Sequence, residues 1–166
     1  MARTQALYTG KGTREHSEYA GDDWEDNFLQ WYQLAPAEKI AAIRKGIPAR
    51  SLSELAKAMD IPQDDLIHCL GLSRATVNRL AQRRQPLSPG DTERVAGIHA
   101  LIGQLQAMSE PNYAIPAREA AKLTARWIRI PMPALGGRTA ASYLDTVEGQ
   151  KLISDILAMT ESGAYA

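Results

Sequence analysis

Residues 71–84 read Gly71-Leu72-Ser73-Arg74-Ala75-Thr76-Val77-Asn78-Arg79-Leu80-Ala81-Gln82-Arg83-Arg84. Ser73 is a strong helix N-cap, and Leu72 and Val77 take the N′ and N4 places of a hydrophobic staple. A helix is therefore predicted from Ser73 to about Arg83. At the helical period Val77, Leu80 and Ala81 share a narrow apolar arc, while Arg74, Asn78 and Gln82 line the adjoining one, with Ala75, Arg79 and Arg83 beside them. Arginine can grip a guanine edge with two hydrogen bonds, Asn or Gln can do so with adenine, and further cations neutralise phosphates. Arg and Gln are also good helix formers that suit a plain solvated face. Between Ser73 and Ser88, however, there are four arginines and no acid, and this tips the reading towards DNA.

Upstream of this stretch two further helices are predicted. Ser51 to Met59 places Leu52, Leu55, Ala56 and Met59 at helical spacing, and Ile61-Pro62 interrupts the pattern because the residue before proline disfavours helical geometry. Gln63 to Leu70 carries Leu66, Ile67 and Leu70 inward, and Gly71 follows. A helix, a short glycine turn and a second helix with an exposed basic face form a helix-turn-helix pattern. Further out, Pro36 opens a helix that Gly46 ends after Lys45. Asp22 to Gln33 reads as a short helix with acids in its first turn, and Trp24, Phe28 and Trp31 make an aromatic stripe expected to pack on the fold or on a second copy. Residues 1–20 read as a mobile arm. Within it Gly10-Lys11-Gly12-Thr13 has the residue types of a phosphate loop but not the Gly-Lys-Ser/Thr order after a buried strand.

Downstream, Ser88-Pro89-Gly90-Asp91 launches a long helix with a capping serine, proline at N1 and an acid at N3. Val95, Ile98, Leu101, Ile102, Leu105 and Met108 form its apolar stripe, and Glu110-Pro111-Asn112 breaks it. Pro116 opens another helix with Ala120, Leu123 and Trp127 at helical spacing. Pro131-Met132-Pro133 and Gly136-Gly137 force a turn. Thr139 to Leu144 is a short helix, and Gly149 to Met159 is the last, with Leu152, Ile153, Ile156 and Leu157 predicted inward. Thr160 to Ala166 is a small tail.

Composition supports an all-α fold: the chain has three valines and one phenylalanine against abundant alanine and leucine. Nineteen basic and nineteen acidic residues cancel, so any attraction to nucleic acid must come from a local patch rather than overall charge. No run approaches the roughly 18 apolar residues of a membrane span, and the start lacks a signal-peptide core. The single cysteine, Cys69, excludes an internal disulfide framework and a multi-thiolate metal site. A cytoplasmic protein without cofactor or metal is expected. His16, His68 and His99 lie far apart in sequence, His68 and Cys69 point to different helical faces, and no catalytic signature can be assembled, so no enzyme is expected.

The ordered pattern Ala120-x6-Trp127-x3-Pro131-x3-Leu135-Gly136-Gly137-x-Thr139-x3-Tyr143-Leu144-x-Thr146-x2-Gly149 resembles the toxin-binding domain of Xre/MbcA/ParS-type antitoxins. Gly71-Leu72-Ser73-x2-Thr76-x2-Arg79, with Leu87-Ser88 after it, resembles the Xre-type helix-turn-helix that precedes that domain. The resemblance spans about residues 36–160. Ala140 stands where proline is common, and Asn78-Arg79 where paired arginines are more usual. It implies an antitoxin of a type II RES–Xre toxin–antitoxin system. Such a protein neutralises an NAD-degrading RES-domain toxin and represses its own operon at double-stranded operator DNA, as a homodimer within a larger complex.

In that light the helix-turn-helix contacts are expected from Ser73, Arg74, Thr76, Asn78, Arg79, Gln82, Arg83 and Arg84. Trp127, Leu135, Gly136, Gly137 and Gly149 are expected to be structural: a buried anchor, a sharp turn and a helix-start glycine. Toxin contacts are expected from Tyr143, Asp145 and Glu148, and from Glu161, Ser162 and Tyr165 of a small acidic tail that could reach the toxin's NAD pocket. The expected division is an arm and helix for dimerisation (1–34), a helix-turn-helix domain (35–86) and a toxin-binding domain with its tail (87–166). Two alternatives stay open: a stand-alone helix-turn-helix regulator with no toxin partner, and an interaction protein whose helix-turn-helix no longer meets DNA.

Overall fold

A computed structural model describes residues 27–109 and 115–161, to the end of its last helix. The arm, Trp24, the break at 110–112, Ser162 and Tyr165 lie outside the described residues, as does the side chain of Glu161. Eight α-helices are present among them: α1 (Phe28–Gln33), α2 (Pro36–Lys45), α3 (Ser51–Met59), α4 (Gln63–Cys69), α5 (Arg74–Gln82), α6 (Pro89–Ala107), α7 (Ala117–Trp127) and α8 (Val147–Glu161). Among the described residues a small hairpin and an isolated antiparallel bridge between Pro48 and Pro86 depart from helix. Strands β1 (Pro131–Met132) and β2 (Arg138–Thr139) pair antiparallel around a 3₁₀ turn at Pro133–Leu135, with Pro131 opposite Thr139. A second 3₁₀ turn, Ala140–Tyr143, occupies the place predicted for a short helix. Gly136 and Gly137, at φ 63° and 81°, supply the left-handed conformations that let the hairpin close.

Helix α6 is the axis of the molecule. Val95, Ile98, Leu101 and Ile102 are buried as the stripe predicts, but so are Thr92, Ala96, His99, Gly103 and Gln104 on its other faces. A helix buried over so wide an arc, with only Glu93 and Ala107 beyond its first turn exposed, belongs in the middle of a fold, and α1, α2, α7 and α8 all pack on it. Phe28 and Trp31, completely or almost completely buried, pack within this chain, with Trp31 Nε1 donating to the Ala96 carbonyl at 3.0 Å. The Phe28 ring sits 5.1 Å from that of His99. On the far side Gln104 and Ser154 of α8 exchange hydrogen bonds: Gln104 Nε2 donates to the Ser154 carbonyl at 3.0 Å, and Ser154 Oγ donates to Gln104 Oε1 at 2.7 Å. The buried residues of both halves of the chain form one hydrophobic cluster.

Three predicted burials are redistributed. Trp127 is half-buried rather than a buried anchor, because the inner face of α7 is formed by Ala120, Ala121, Thr124 and Ala125, followed by Ile128. Leu123 is likewise only half-buried. Helix α8 begins at Val147, two residues before the predicted glycine, and its inner face is Gly149, Gln150, Ile153, Ile156 and Leu157; Leu152 therefore turns outward, 43% exposed. Gly149 is the third residue of the helix, where its N–H donates to the Oγ1 of Thr146 at 3.1 Å in an N-cap bond. A Cβ there would lie 1.9 Å from the Tyr143 carbonyl oxygen, so the glycine is required by close approach.

The tightest seam on the other side is between α1 and α6, where a Cβ on Gly103 would fall 2.1 Å from the Phe28 carbonyl oxygen. Gly103→Ala must push α1 off the axis, and a loss of about 1–3 kcal/mol or more is expected from such overpacking. Chemical denaturation compared with the surface change Ala107→Gly as a control checks it; an unchanged midpoint in Gly103→Ala would show that α1 is not seated there.

Candidate functional site: a basic recognition helix beside a toxin-binding unit

The two ends of α5 are fixed by local hydrogen bonding. At its start Gly71 adopts φ 61°, the Leu72 N–H donates to the Ile67 carbonyl at 2.9 Å, and Ser73 Oγ accepts the Thr76 N–H at 3.3 Å. At its end the chain pairs with the loop after α2: the Ala49 N–H donates to the Gln85 carbonyl at 3.1 Å and the Leu87 N–H to the Ile47 carbonyl at 2.8 Å. Val77 is buried at 1% and anchors the inner side. Arg74, Asn78, Arg79, Gln82, Arg83 and Arg84 are exposed, Thr76 is half-buried, and the Ser73 hydroxyl is engaged as the cap. All eight residues singled out from sequence thus fall on one short element and its flanks.

Two neighbours were not visible in the sequence. Asn78 and Gln82 border a cleft of about 360 Å³ that Arg50, Glu54 and Gln63 also line, so the start of α3 brings both a cation and an acid, the latter paired with Lys57, beside the α5 face. Arg74 pairs with Asp64 of α4 at 3.0 Å, with both side chains more than half exposed. Such a pair contributes about 0–1 kcal/mol, so a phosphate can displace the carboxylate at little cost.

Helices α3 and α4 repeat the geometry of α4 and α5. Asp60 closes α3 in the left-handed conformation, φ 56°, and the Ile61 N–H donates to the Ala56 carbonyl at 3.0 Å, as Gly71 and Leu72 do one helix later. Charge separates the two pairs. The first turn of α4 exposes Asp64 and Asp65, which would face phosphates with like charge, whereas the first turn of α5 holds no acid and ends in an open run of cations. Helix α5 is the element whose surface suits a groove.

The second set of residues lies around the start of α8. Asp145 and Glu148 are exposed and Tyr143 is half-buried. Asp145 faces the helix-turn-helix: a Cβ built on Gly71 would meet the Asp145 Cβ at 3.0 Å. Glu148 instead begins an outward strip on α8, followed by Leu152, Asp155 and Met159 at steps of four, three and four residues; all four are exposed. Beside α8, Trp127, Ile130, Pro131, Pro133 and Ile156 line an apolar hollow of about 280 Å³, with Ile130 55% exposed at its edge.

A larger cleft of about 660 Å³ separates α4 from α7 and the 3₁₀ turn, and both His68 and Cys69 line it. The Cys69 thiol donates to the Ala141 carbonyl at 3.3 Å, and burial pushes its pKa up to about 11. Across the same cleft Arg129 pairs with Asp65 at 3.2 Å. Among the described residues no group of three or more His, Cys, Asp or Glu side chains could hold a metal ion, and no helix is long and apolar enough to cross a membrane.

A capped basic helix after a glycine turn, carried on the same core as a second helical unit with an exposed acidic and apolar strip, defines a helix-turn-helix protein with an attached partner-binding domain. Residues 38–98 match the family model of the antitoxin Xre-like helix-turn-helix domain, and residues 118–163 that of the antitoxin Xre/MbcA/ParS C-terminal toxin-binding domain. Over 135 residues the chain is 40% identical to a protein of Sphingobium sp. (strain YBL2) named Prs ADP-ribosylating antitoxin, covering 81% of this chain and 85% of the relative. The chain belongs to the Xre/MbcA/ParS-type antitoxins. It is an antitoxin of a toxin–antitoxin system, with a helix-turn-helix domain followed by a toxin-binding domain.

The raised thiol pKa gives a simple check on the junction. A shift from 9.0 to about 11 lowers the thiolate fraction at neutral pH about 100-fold, and the thiolate is the reactive form. Iodoacetamide should therefore modify Cys69 about 100-fold more slowly in the native protein than in urea. Equal rates would mean that the α4–Ala141 junction stands open.

Proposed function

We propose that this antitoxin neutralises a RES-domain toxin that consumes NAD, and that it represses its own operon by seating α5 in the major groove of operator DNA. The system is type II, protein against protein, and the antitoxin acts as a homodimer by covering surfaces rather than by catalysis. The observation that carries the DNA half is the exposed, acid-free face of α5. On a chain of zero net charge, that face concentrates the cations where phosphates can meet them. Arg79 and Arg83, with Asn78 and Gln82 on the adjoining arc, supply base-edge donors, and Arg74 and Arg84 at the two ends reach the backbone.

The toxin half rests on the second family match and on the strip that starts at Glu148. Tyr143, Asp145 and Glu148 form the first contacts, Leu152 and Met159 add apolar area along α8, and Glu161, Ser162 and Tyr165 supply further toxin contacts. An enzyme that binds NAD must neutralise a pyrophosphate, so its pocket mouth is basic, and an acidic strip that ends in an acidic tail complements it. The name of the Sphingobium relative attaches ADP-ribosylation to its system. Transfer of ADP-ribose, like hydrolysis, cleaves the bond to nicotinamide, so the toxin would release nicotinamide from NAD in either case.

Arg79→Ala with Arg83→Ala should weaken binding to the DNA upstream of the operon at least ten-fold and flatten its salt dependence, since each base-edge contact contributes ~1–3 kcal/mol. Unchanged gel-shift affinity would assign DNA binding to another surface. On the toxin side, Glu148→Lys with Leu152→Asp should restore growth arrest when the neighbouring toxin gene is expressed, while the DNA affinity of the free antitoxin stays within two-fold. Removing residues 162–166 should restore nicotinamide release in the presence of antitoxin. Full inhibition by both variants would remove the α8 strip and the tail from the interface.

A further inference from the structure

Helix α7 has a third face that neither the core nor the apolar hollow uses. Ala120, Ala121, Thr124 and Ala125 turn inward, and Trp127 lines the hollow. Arg118, Lys122 and Arg126 follow one another at four-residue steps, within an arc of about 80°, and Arg129 stands three residues further on in the same arc. Arg118, Arg126 and Arg129 are exposed and Lys122 is half-buried. The one acid of the helix, Glu119, lies at the edge of that arc.

Both ends of this strip are set beside the helix-turn-helix. At the far end Arg129 pairs with Asp65 of α4 at 3.2 Å, and the preceding residue, Asp64, pairs with Arg74 at the start of α5. At the near end Arg118 acts on Glu54 of α3. The hydrogen bond from Lys57 holds the Glu54 carboxyl below the usual carboxylate range, and the Arg118 charge adds to the effect. Glu54 in turn lines the cleft that Asn78 and Gln82 of α5 border. Helices α3 and α7 pack on each other, so the strip flanks the helices that carry the groove-binding face. Arg118 and Arg129 offset acids that phosphates would otherwise meet with like charge. Lys122 and Arg126, between them, form no ion pair with any described residue. A helix needed only to offset Glu54 and Asp65 would carry cations at its ends and neutral residues in the middle.

We infer that Arg118, Lys122, Arg126 and Arg129 form a second phosphate track, along which duplex DNA flanking the site read by α5 lies against α7. This rests on the reading of α5 as the recognition helix. The sign of the charge selects the partner. A basic strip would face the basic mouth of an NAD-binding toxin with like charge, whereas the DNA backbone complements it. An exposed charge acts over only about 10 Å at 0.1 M salt, so on a chain without net charge these cations serve DNA only by lying against it. From Arg118 to Arg129 the strip rises about 16 Å, the length of about five base pairs. Such a track reads no bases; it adds affinity for any sequence and sets how much DNA beyond the recognition site is covered.

The test is a salt titration by fluorescence anisotropy with the full chain, using the DNA upstream of the operon and a duplex of the same length and scrambled sequence. Lys122→Gln with Arg126→Gln should weaken both complexes at least ten-fold at about 0.15 M salt and keep the ratio between them within two-fold. The slope of log affinity against log salt should fall by about one for each cation removed per protomer. Lys122→Arg with Arg126→Lys, which keeps the charge, should bind both duplexes as the unmodified protein does. An equal loss in that variant would trace the effect to disturbed packing of α7 and overturns the inference. Trimming about five base pairs of flank from the operator duplex should cost the unmodified protein at least five-fold and the glutamine variant less than two-fold. An unchanged salt slope in the glutamine variant also overturns it. So does renewed activity of the neighbouring gene's toxin beside intact DNA binding, which would assign the strip to the toxin. The reading of α5 fails separately, by the absence of any preference for the operator duplex in the unmodified protein, and the track falls with it; preference kept with an unchanged slope removes the track alone.

Discussion

The burial of α6 over most of its circumference is the constraint from which the rest of the architecture follows. A nineteen-residue helix with Val95, Ile98, Leu101, Ile102, Ala96, His99 and Gly103 on one broad buried arc, and Gln104 buried beside exposed Glu93 and Ala107, shows solvent only a narrow strip and cannot serve one domain alone. It must be enclosed. Helices α1 and α2 enclose it from the helix-turn-helix side, and α7 and α8 from the other. Small residues make the enclosure tight, since Gly97 admits the Gln150 amide and Gly103 admits the α1 backbone. The helix-turn-helix and the toxin-binding unit therefore share a core rather than hang on a linker, and their two surfaces are held at a set geometry.

That geometry matters because the electrostatics are local. With nineteen charges of each sign the molecule has no long-range pull on DNA, and at 0.1 M salt an exposed charge acts over only about 10 Å. A groove-binding surface then works only if its cations are gathered and its acids kept away. Helix α5 meets both conditions. It carries no acid of its own; Asp64 is committed to Arg74, Asp65 to Arg129, and Glu54, which lines the cleft beside Asn78 and Gln82, to Lys57. Glu148 and Asp155 lie on α8, and Asp145 stands by the Gly71 turn rather than on the exposed face of α5.

Much of this was legible in the sequence because it is written in local chemistry. Ser73 and Ser88 cap as their types and positions predict, at 3.3 and 3.2 Å to the third N–H of each helix. Pro36 starts α2, Gly46 ends it, and Gly71, Gly136 and Gly137 take the positive φ values that the turns demand. What was not legible depends on partners distant in sequence. The Pro131–Thr139 pairing is two residues long on each side, too short for any alternating pattern. Arg94 lies outside the apolar stripe of α6; its ligands are backbone carbonyls twenty-three and twenty-four residues earlier, which carry no residue-type signal. Arg50 joins the basic face only because α3 and α5 cross there.

Helix α8 is the place where the hydrophobic pattern and the fold disagree, and the disagreement is informative. Periodicity puts Leu152 inside and has no place for a buried glutamine; in the molecule Leu152 is 43% exposed and Gln150 6%. Burying a glutamine is costly unless its amide is satisfied, and Gln150 meets that condition by donating to Leu144 and Arg94, groups that belong to the two units it joins. An exposed leucine alone is unremarkable on a protein surface. Here it stands in a row with Glu148, Asp155 and Met159, on a domain that matches a toxin-binding family. Local rules yield at functional sites more often than elsewhere, and on this helix both departures have the same direction. The inner one joins the unit that matches the toxin-binding family to α6 beside the helix-turn-helix, and the outer one leaves apolar area uncovered on α8. A helix built only to complete the core would have carried leucine at 150 and a polar residue at 152.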